Sequence, residues 1–232
     1  MNRRPLLALP LLLAGCSVLP DRPYREVRRF VLAPERPEPR PPAPPPTAPG
    51  RPALLLRGMR AAPGLDQRGL RSLGADGQVT QDFWAEWAAP PAELVEEATR
   101  RWLAASGQFS AITAPGSRLR AGLMLEGELL RLQAEPAARR ARATLAGLLL
   151  LEPEGGGATR ILAQVQAEGE AALPSGEDPA LAAAAMGAAL AAALGVLEAR
   201  IVAVMPRGDG AVMPRGEGAA MPRGAGAAGA RR

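Results

Sequence analysis

The chain contains no histidine and no lysine, and all 28 residues of its basic count are arginine. Those absences exclude imidazole general bases, imidazole metal ligands, Schiff-base lysines and a phosphate-loop lysine. Cys16 is the only cysteine, so no disulfide forms within the chain, although an exported protein could carry one. Aromatic residues make up 3% of the 232, too few for the stacking platforms that single-stranded nucleic acid requires. An enzyme would have to be assembled from Asp, Glu, Ser and Tyr24. The expectation is a protein without catalysis, cofactor or metal. Abundant Arg, Ala, Gly and Pro with no Lys looks like the product of a GC-rich genome and needs no functional cause.

The net charge of +5 is unevenly spread. Arg3 and Arg4 lie at the extreme N-terminus, residues 17–52 carry seven Arg against four acids, and residues 205–232 carry five against two. Residues 53–204 hold 14 Arg against 17 acids, so the body of the chain stands at −3. A nucleic-acid binder concentrates cations on its folded body. Nucleic acid is therefore excluded as a partner.

The first residues read as an export signal: Arg3 and Arg4 precede an apolar run from Leu6 to Ala14. The run is too short to span a bilayer, which takes about 20 apolar residues. It ends in Leu13-Ala14-Gly15-Cys16, which resembles the lipobox of bacterial lipoproteins. That resemblance implies lipidation of the Cys16 thiol, cleavage before it and acylation (as with palmitate) of the new amino group. The other reading is an ordinary secretory signal with an incidental cysteine. Each buried CH₂ contributes about 0.8 kcal/mol and a single myristoyl chain binds only marginally, so three chains would hold a soluble domain essentially permanently. Ser17 rather than Asp follows the cysteine, which resembles the pattern routed to the outer membrane, with the domain facing the periplasm.

Residues 34–52 contain ten prolines, a composition that favours extended polyproline II and lacks ladder donors. Just before them, Phe30-Val31-Leu32 is either a sticky patch in a linker or a strand returning to the domain. Leu54-Leu55-Leu56 reads as a buried strand. Gly64 to Gly77 is turn-rich, with a short edge strand hinted at by Leu70 and Leu73. Pro90-Pro91 opens a helix with Leu94, Val95, Ala98 and Trp102 on one face. Glu93, Glu96 and Glu97 near its start and Arg100 and Arg101 near its end suit the helix dipole, and Gly107 stops it. Phe109 to Thr113 reads as a strand. From residue 118 the period becomes two: strands around Leu119–Glu126, Ala141–Leu151 and Ile161–Glu168, separated by turn signals, form an antiparallel meander. Pro179 opens a second helix with Leu181, Leu190, Leu194, Leu197 and Ile201 as a stripe among alanines, suited to close packing on the sheet.

After Ala203 a unit of period eight recurs, beginning Val204-Met205-Pro206-Arg207-Gly208. It is far shorter than solenoid repeats and has no apolar face, so disorder is expected. A weak cationic contact with anionic lipid or cell-wall polymer is the alternative. The expected divisions are signal peptide 1–15, lipidated Cys16 and tether 16–27, an α+β domain 28–204 with a Pro-rich excursion at 33–52, and tail 205–232. The expected fold is an antiparallel sheet with two main helices packed on it.

The order of lipobox, Arg29-Phe30-Val31-Leu32-Ala33-Pro34, Pro-rich gap and Leu54-Leu55-Leu56 resembles the ABC-type transport auxiliary lipoproteins. The paraquat-inducible lipoprotein C group, linked to MCE lipid-transport systems, belongs with them. Asp82-Phe83-Trp84-Ala85-Glu86-Trp87-Ala88-Ala89-Pro90-Pro91 is similar to the family's Trp-Ala-Glu-Pro approach to a helix, here ending at Leu103 and Gly107-Gln108-Phe109. The closing meander and Ala/Leu-rich helix match as well. The likeness covers about residues 13–204. The Gly- and Arg-rich stretch Arg60–Gly77 and the Met-Pro-Arg-Gly tail depart from it. The resemblance implies a non-enzymatic accessory lipoprotein, held in the membrane by acylated Cys16. It would assist an ABC-type, MCE-linked system in moving lipids or other hydrophobic compounds, with MCE-domain and ABC transporter subunits as partners. Self-association is compatible with such a role. An envelope structural or assembly lipoprotein unconnected with transport is the alternative.

Trp84, Trp87 and Trp102 suit core anchors between helix and sheet, or in the case of Trp84 and Trp87 a lipid- or partner-facing role. Glu126, Glu128, Glu168 and Glu170 stand at strand spacing. They can act as a solvated face with cross-strand partners such as Arg140 and Arg142, or pair as acid and base. Gly155-Gly156-Gly157 has no following Lys-Ser/Thr and is a turn.

Overall fold

The computed structural model describes residues 24–36, 51–153 and 157–206. Cys16, most of the Pro-rich stretch and all but the first residues of the repeat tail lie outside them. Eight strands and two main helices follow in the order β1 (Arg28–Phe30), β2 (Ala53–Ala61), β3 (Gly69–Leu73), β4 (Val79–Trp87), α1 (Pro91–Ala105), β5 (Ala111–Thr113), β6 (Leu123–Glu135), β7 (Arg140–Leu151), β8 (Arg160–Ala172) and α2 (Pro179–Val204).

The α+β class is as expected, but the sheet is mixed rather than antiparallel. β6–β7, β7–β8 and β3–β4 pair antiparallel, whereas β1–β4, β2–β5, β2–β6 and β3–β6 pair parallel. Alternation reports which residues share a face and says nothing of which distant strand lies alongside. After β4 the chain crosses over through α1 and returns as β5 parallel to β2; a crossover of that kind is what parallel pairing needs. β6 is the hub. Its whole length pairs with β7 on one side. On the other side its first half pairs with β2, while Ser72 of β3 meets Ala134 near its end. The sheet therefore forks at β6. β3, read from sequence as an edge strand, lies inside one branch between β4 and β6.

Both helices cover one face. α1 starts with Pro91 in its first turn, where the missing N–H has no intrahelical partner to lose. It buries Val95, Ala98, Trp102 and Leu103. It ends where the Ser106 hydroxyl donates to the Leu103 carbonyl at 2.6 Å and Gly107 turns left-handed at φ 68°. Asp178 caps α2, its carboxylate accepting from the Ala180 N–H at 3.0 Å. Leu190, Leu194, Leu197 and Ile201 of the expected stripe are buried and Leu181 is half-buried. Alanines fill the rest, and they let α2 approach so closely that a Cβ on Gly169 of β8 would meet the backbone of Ala189 and Ala193. By length and composition α2 could cross a membrane. Its face is instead spent on the sheet, where Leu190 and Leu194 pack into one core with Leu145 and Leu149 of β7.

Candidate functional site

The described N-terminal segment, residues 24–36, is where the chain that follows Cys16 joins the fold. Of its two readings the structure takes the strand: Arg28, Arg29 and Phe30 pair parallel with Ala85, Glu86 and Trp87 of β4. Leu32 is buried. Three arginines then fasten the segment. Arg28 reaches the α2 cap residue Asp178 at 2.8 Å, and Arg29 reaches Glu86 at 2.8 Å. Asp178 has its carboxyl held below the ordinary range by the Ala180 N–H first and Arg28 second.

Arg36 makes the deepest attachment. Its Nη2 donates to the Trp102 carbonyl and, at 2.8 Å, to Glu198 Oε2. The guanidinium lies 4.2 Å from the centroid of the Trp102 ring, and Trp102 Nε1 donates to the same Glu198 oxygen at 2.9 Å. Glu198 is buried, so it persists there because a cation and an indole donor both face it. One arginine thus clasps the segment to α1 and α2 together.

The four strand carboxylates lie apart in ion pairs and hydrogen bonds. Glu126 meets Arg57 at 3.0 Å and Glu128 meets Arg60 at 3.6 Å. Glu170 accepts from Arg142 at 2.7 Å and from Arg140 at 3.4 Å, as expected for cross-strand partners. Glu168 accepts from Gln166 at 3.0 Å. Sequence reading passed over Glu135, which is more deeply placed. Burial works to raise its pKa. Hydrogen bonds from Arg140 and Gln133, with Arg142 close by, outweigh that and hold it below 4.5. Among the described residues no group of three or more acids is placed to hold a metal ion.

Two open clefts flank this framework. One of about 410 Å³ lies between β3 and the start of α2, with Ser72, Asp82, Arg139 and Leu181 in its wall. The other, about 360 Å³, sits at the Gly58 bulge of β2 among Arg57, Met59, Glu96 and Glu126.

The tryptophans divide. Trp87 is 1% and Trp102 6% exposed, both core anchors, while Trp84 is 37% exposed. The core reading is thus corrected for Trp84, because the backbone of β4 bulges outward where it stands.

The family model for the ABC-type transport auxiliary lipoprotein component matches residues 33–201. The chain belongs to that family. Protein XCC0632 from Xanthomonas campestris shares the fold at 19% identity and a TM-score of 0.55; the match covers 76% of this chain and 99% of that one. The crystal structure of an uncharacterized protein matches at 12% identity with a TM-score of 0.53, over 76% and 99% of the two chains. No curated protein matches the sequence. As an ABC-type transport auxiliary lipoprotein, the chain is one of a family of lipoproteins named for service to ABC-type transport.

Proposed function

We propose that this protein is a lipid-anchored accessory subunit of an ABC-type, MCE-linked transport system and assists the passage of lipids or other hydrophobic compounds across the cell envelope. Acylated Cys16 holds it, in the outer membrane, with the domain in the periplasm. The observation that carries the reading is the fastening of the tether. The segment that follows the lipobox enters the sheet as β1, and Arg36 ties it to both helices. A domain fixed so close to its anchor is suited to holding a partner at the membrane surface. It works by binding and positioning, because it has no histidine, lysine or free thiol once Cys16 is acylated.

The test joins anchor to partner. Metabolic palmitate labelling and fractionation should show the wild type labelled and membrane-bound, and Cys16→Ala unlabelled and unprocessed. The anchored form should co-purify with an MCE-domain subunit, and its deletion should disturb envelope lipid composition. Unchanged labelling in Cys16→Ala would sink the anchor. A labelled protein that captures no transporter subunit would favour the structural lipoprotein instead.

A further inference from the structure

Phe83 and Trp84 are displayed on the surface of a chain that has three Phe, three Trp and one Tyr. Phe83 is 77% exposed, and its ring meets that of Trp84 edge-on with centroids 5.0 Å apart. The backbone holds them out. Between the pairs Arg71↔Gln81 and Gly69↔Glu86, β4 advances five residues while β3 advances two. Residues 82–85 therefore leave the ladder as a bulge, the device by which strands re-aim side chains. Asp82 Oδ1 accepts from the N–H of Trp84 at 2.7 Å and of Ala85 at 3.1 Å, which fixes its shape. Beneath it Gly69 leaves no room for a side chain, since a Cβ there would lie 2.7 Å from the Asp82 carbonyl oxygen. The guanidinium of Arg25 stands 5.9 Å from the centre of the Trp84 ring.

Its position gives the bulge a partner. β1 pairs with β4 from Ala85 onward, so the chain arriving from Cys16 joins the fold at the foot of this bulge. Tyr24, 91% exposed, is eight residues beyond Cys16. At 3.3–3.6 Å per extended residue that stretch spans at most about 29 Å. An acyl group on Cys16 thus keeps the aromatic pair within reach of the leaflet. Trp and Tyr beside Arg is the chemistry of a lipid headgroup boundary, where amphipathic rings and cations with apolar stems are both satisfied.

We propose that the Phe83–Trp84 bulge is a second membrane contact, seated in the headgroup region of the leaflet that carries acylated Cys16. The contact orients the domain, which attachment at a single point cannot do. The proposal takes its orientation from the anchor reading, and the test keeps the two apart.

The mature chain from Cys16 to Arg232, purified from membranes, is reconstituted into vesicles of phosphatidylethanolamine and phosphatidylglycerol with brominated acyl chains. Trp87 and Trp102 are buried, so quenching should fall on Trp84 and should vanish in Trp84→Phe. The same chain carrying Cys16→Ser, made without export, is titrated with the same vesicles. It should bind weakly, and Phe83→Ser with Trp84→Ser should weaken that binding about tenfold or more. Acylated protein that enters vesicles without quenching of Trp84 would overturn the proposal. So would unacylated protein whose binding ignores the two serines. If mass spectrometry finds no acyl group on Cys16, the anchor reading fails by itself, and the titration alone then decides for or against the bulge. Loss of transporter capture in the double variant, with vesicle behaviour unchanged, would assign the bulge to a protein partner and also overturn the membrane contact.

Discussion

At the scale of single residues, two glycines, one beneath α2 and one within it, make opposite demands. Gly169 lies under α2 with the backbone of Ala189 and Ala193 where its Cβ would go, whereas a Cβ on Gly187 would meet nothing within 4 Å. Backbone cannot swing aside as a flexible side chain can. Gly169→Val should therefore cost about 3 kcal/mol, the upper end of ordinary overpacking. Gly187→Ala, in the interior of a helix, should raise stability by about 0.5–1 kcal/mol. Thermal unfolding of both variants checks the pair, and equal effects would contradict the close approach. The alanine-rich α2 made this packing readable in the sequence, though not which strand residue it would press upon. Trp87 and Trp102 were readable as core anchors for a similar reason: a chain poor in aromatics has few other large residues to fill its centre. The Arg36–Glu198 clasp was not readable. Its members are 162 positions apart, and nothing local marks a carboxylate in an apolar helix as buried and partnered.

At the scale of elements, period-two alternation exposed the β6–β7–β8 meander, and caps and dipole-matched charges exposed α1, because those signals are local. The fork at β6 was hidden. It depends on β2 and β3 sharing one edge of β6, and a single pair, Ser72↔Ala134, makes the second junction. The turn end of the β6–β7 hairpin holds a carboxyl from which a pH response is expected. Glu135 accepts from Arg140 at 2.8 Å and has a folded pKa below its ordinary 4.5. A carboxyl lowered in this way adds stability above its unfolded pKa, where the folded state has shed its proton at no greater cost than the unfolded chain. That stability is lost as pH falls from about 4.5 through the folded pKa, where both states are protonated. Arg140 is shifted the other way, upward, chiefly by its hydrogen bond to Glu135, so it stays charged throughout this window. Glu135→Gln should therefore make stability less dependent on pH below about 4.5 while lowering it at neutral pH. Denaturant titrations across the acid range measure this. An acid limb as steep as the wild type's would place the response elsewhere, Asp178 being the next carboxyl with a lowered pKa.

At the scale of the whole molecule, the chain divides charge between its ends and its body. The segments around the domain are cationic, and residues 53–204 are slightly acidic. The lipobox-like Leu13-Ala14-Gly15-Cys16 could be read from sequence because its residues are contiguous, and the anchor it implies is part of the proposed function. The acidic sheet positions come from separate strands, and sequence could offer only the polar positions of each. Glu126, Glu128, Glu168 and Glu170 are the test of whether any of them does chemistry. Glu126 and Glu170 are 42% and 49% exposed at the side chain and pair with arginines across neighbouring strands. Exposed pairs of this kind contribute about 0–1 kcal/mol each. Replacing all four by Gln removes charge but keeps shape and hydrogen-bonding reach. The protein should remain folded, anchored and able to complement a deletion, with a melting temperature within several degrees of wild type. Loss of complementation in a folded, anchored variant would leave two causes, a carboxylate taking part in a reaction or a salt bridge to the transporter. Pull-down with an MCE-domain subunit, the partner proposed above, separates them. Retained capture with lost function would point to chemistry and end the positioning model, while lost capture would put the acidic sheet face at the transporter contact.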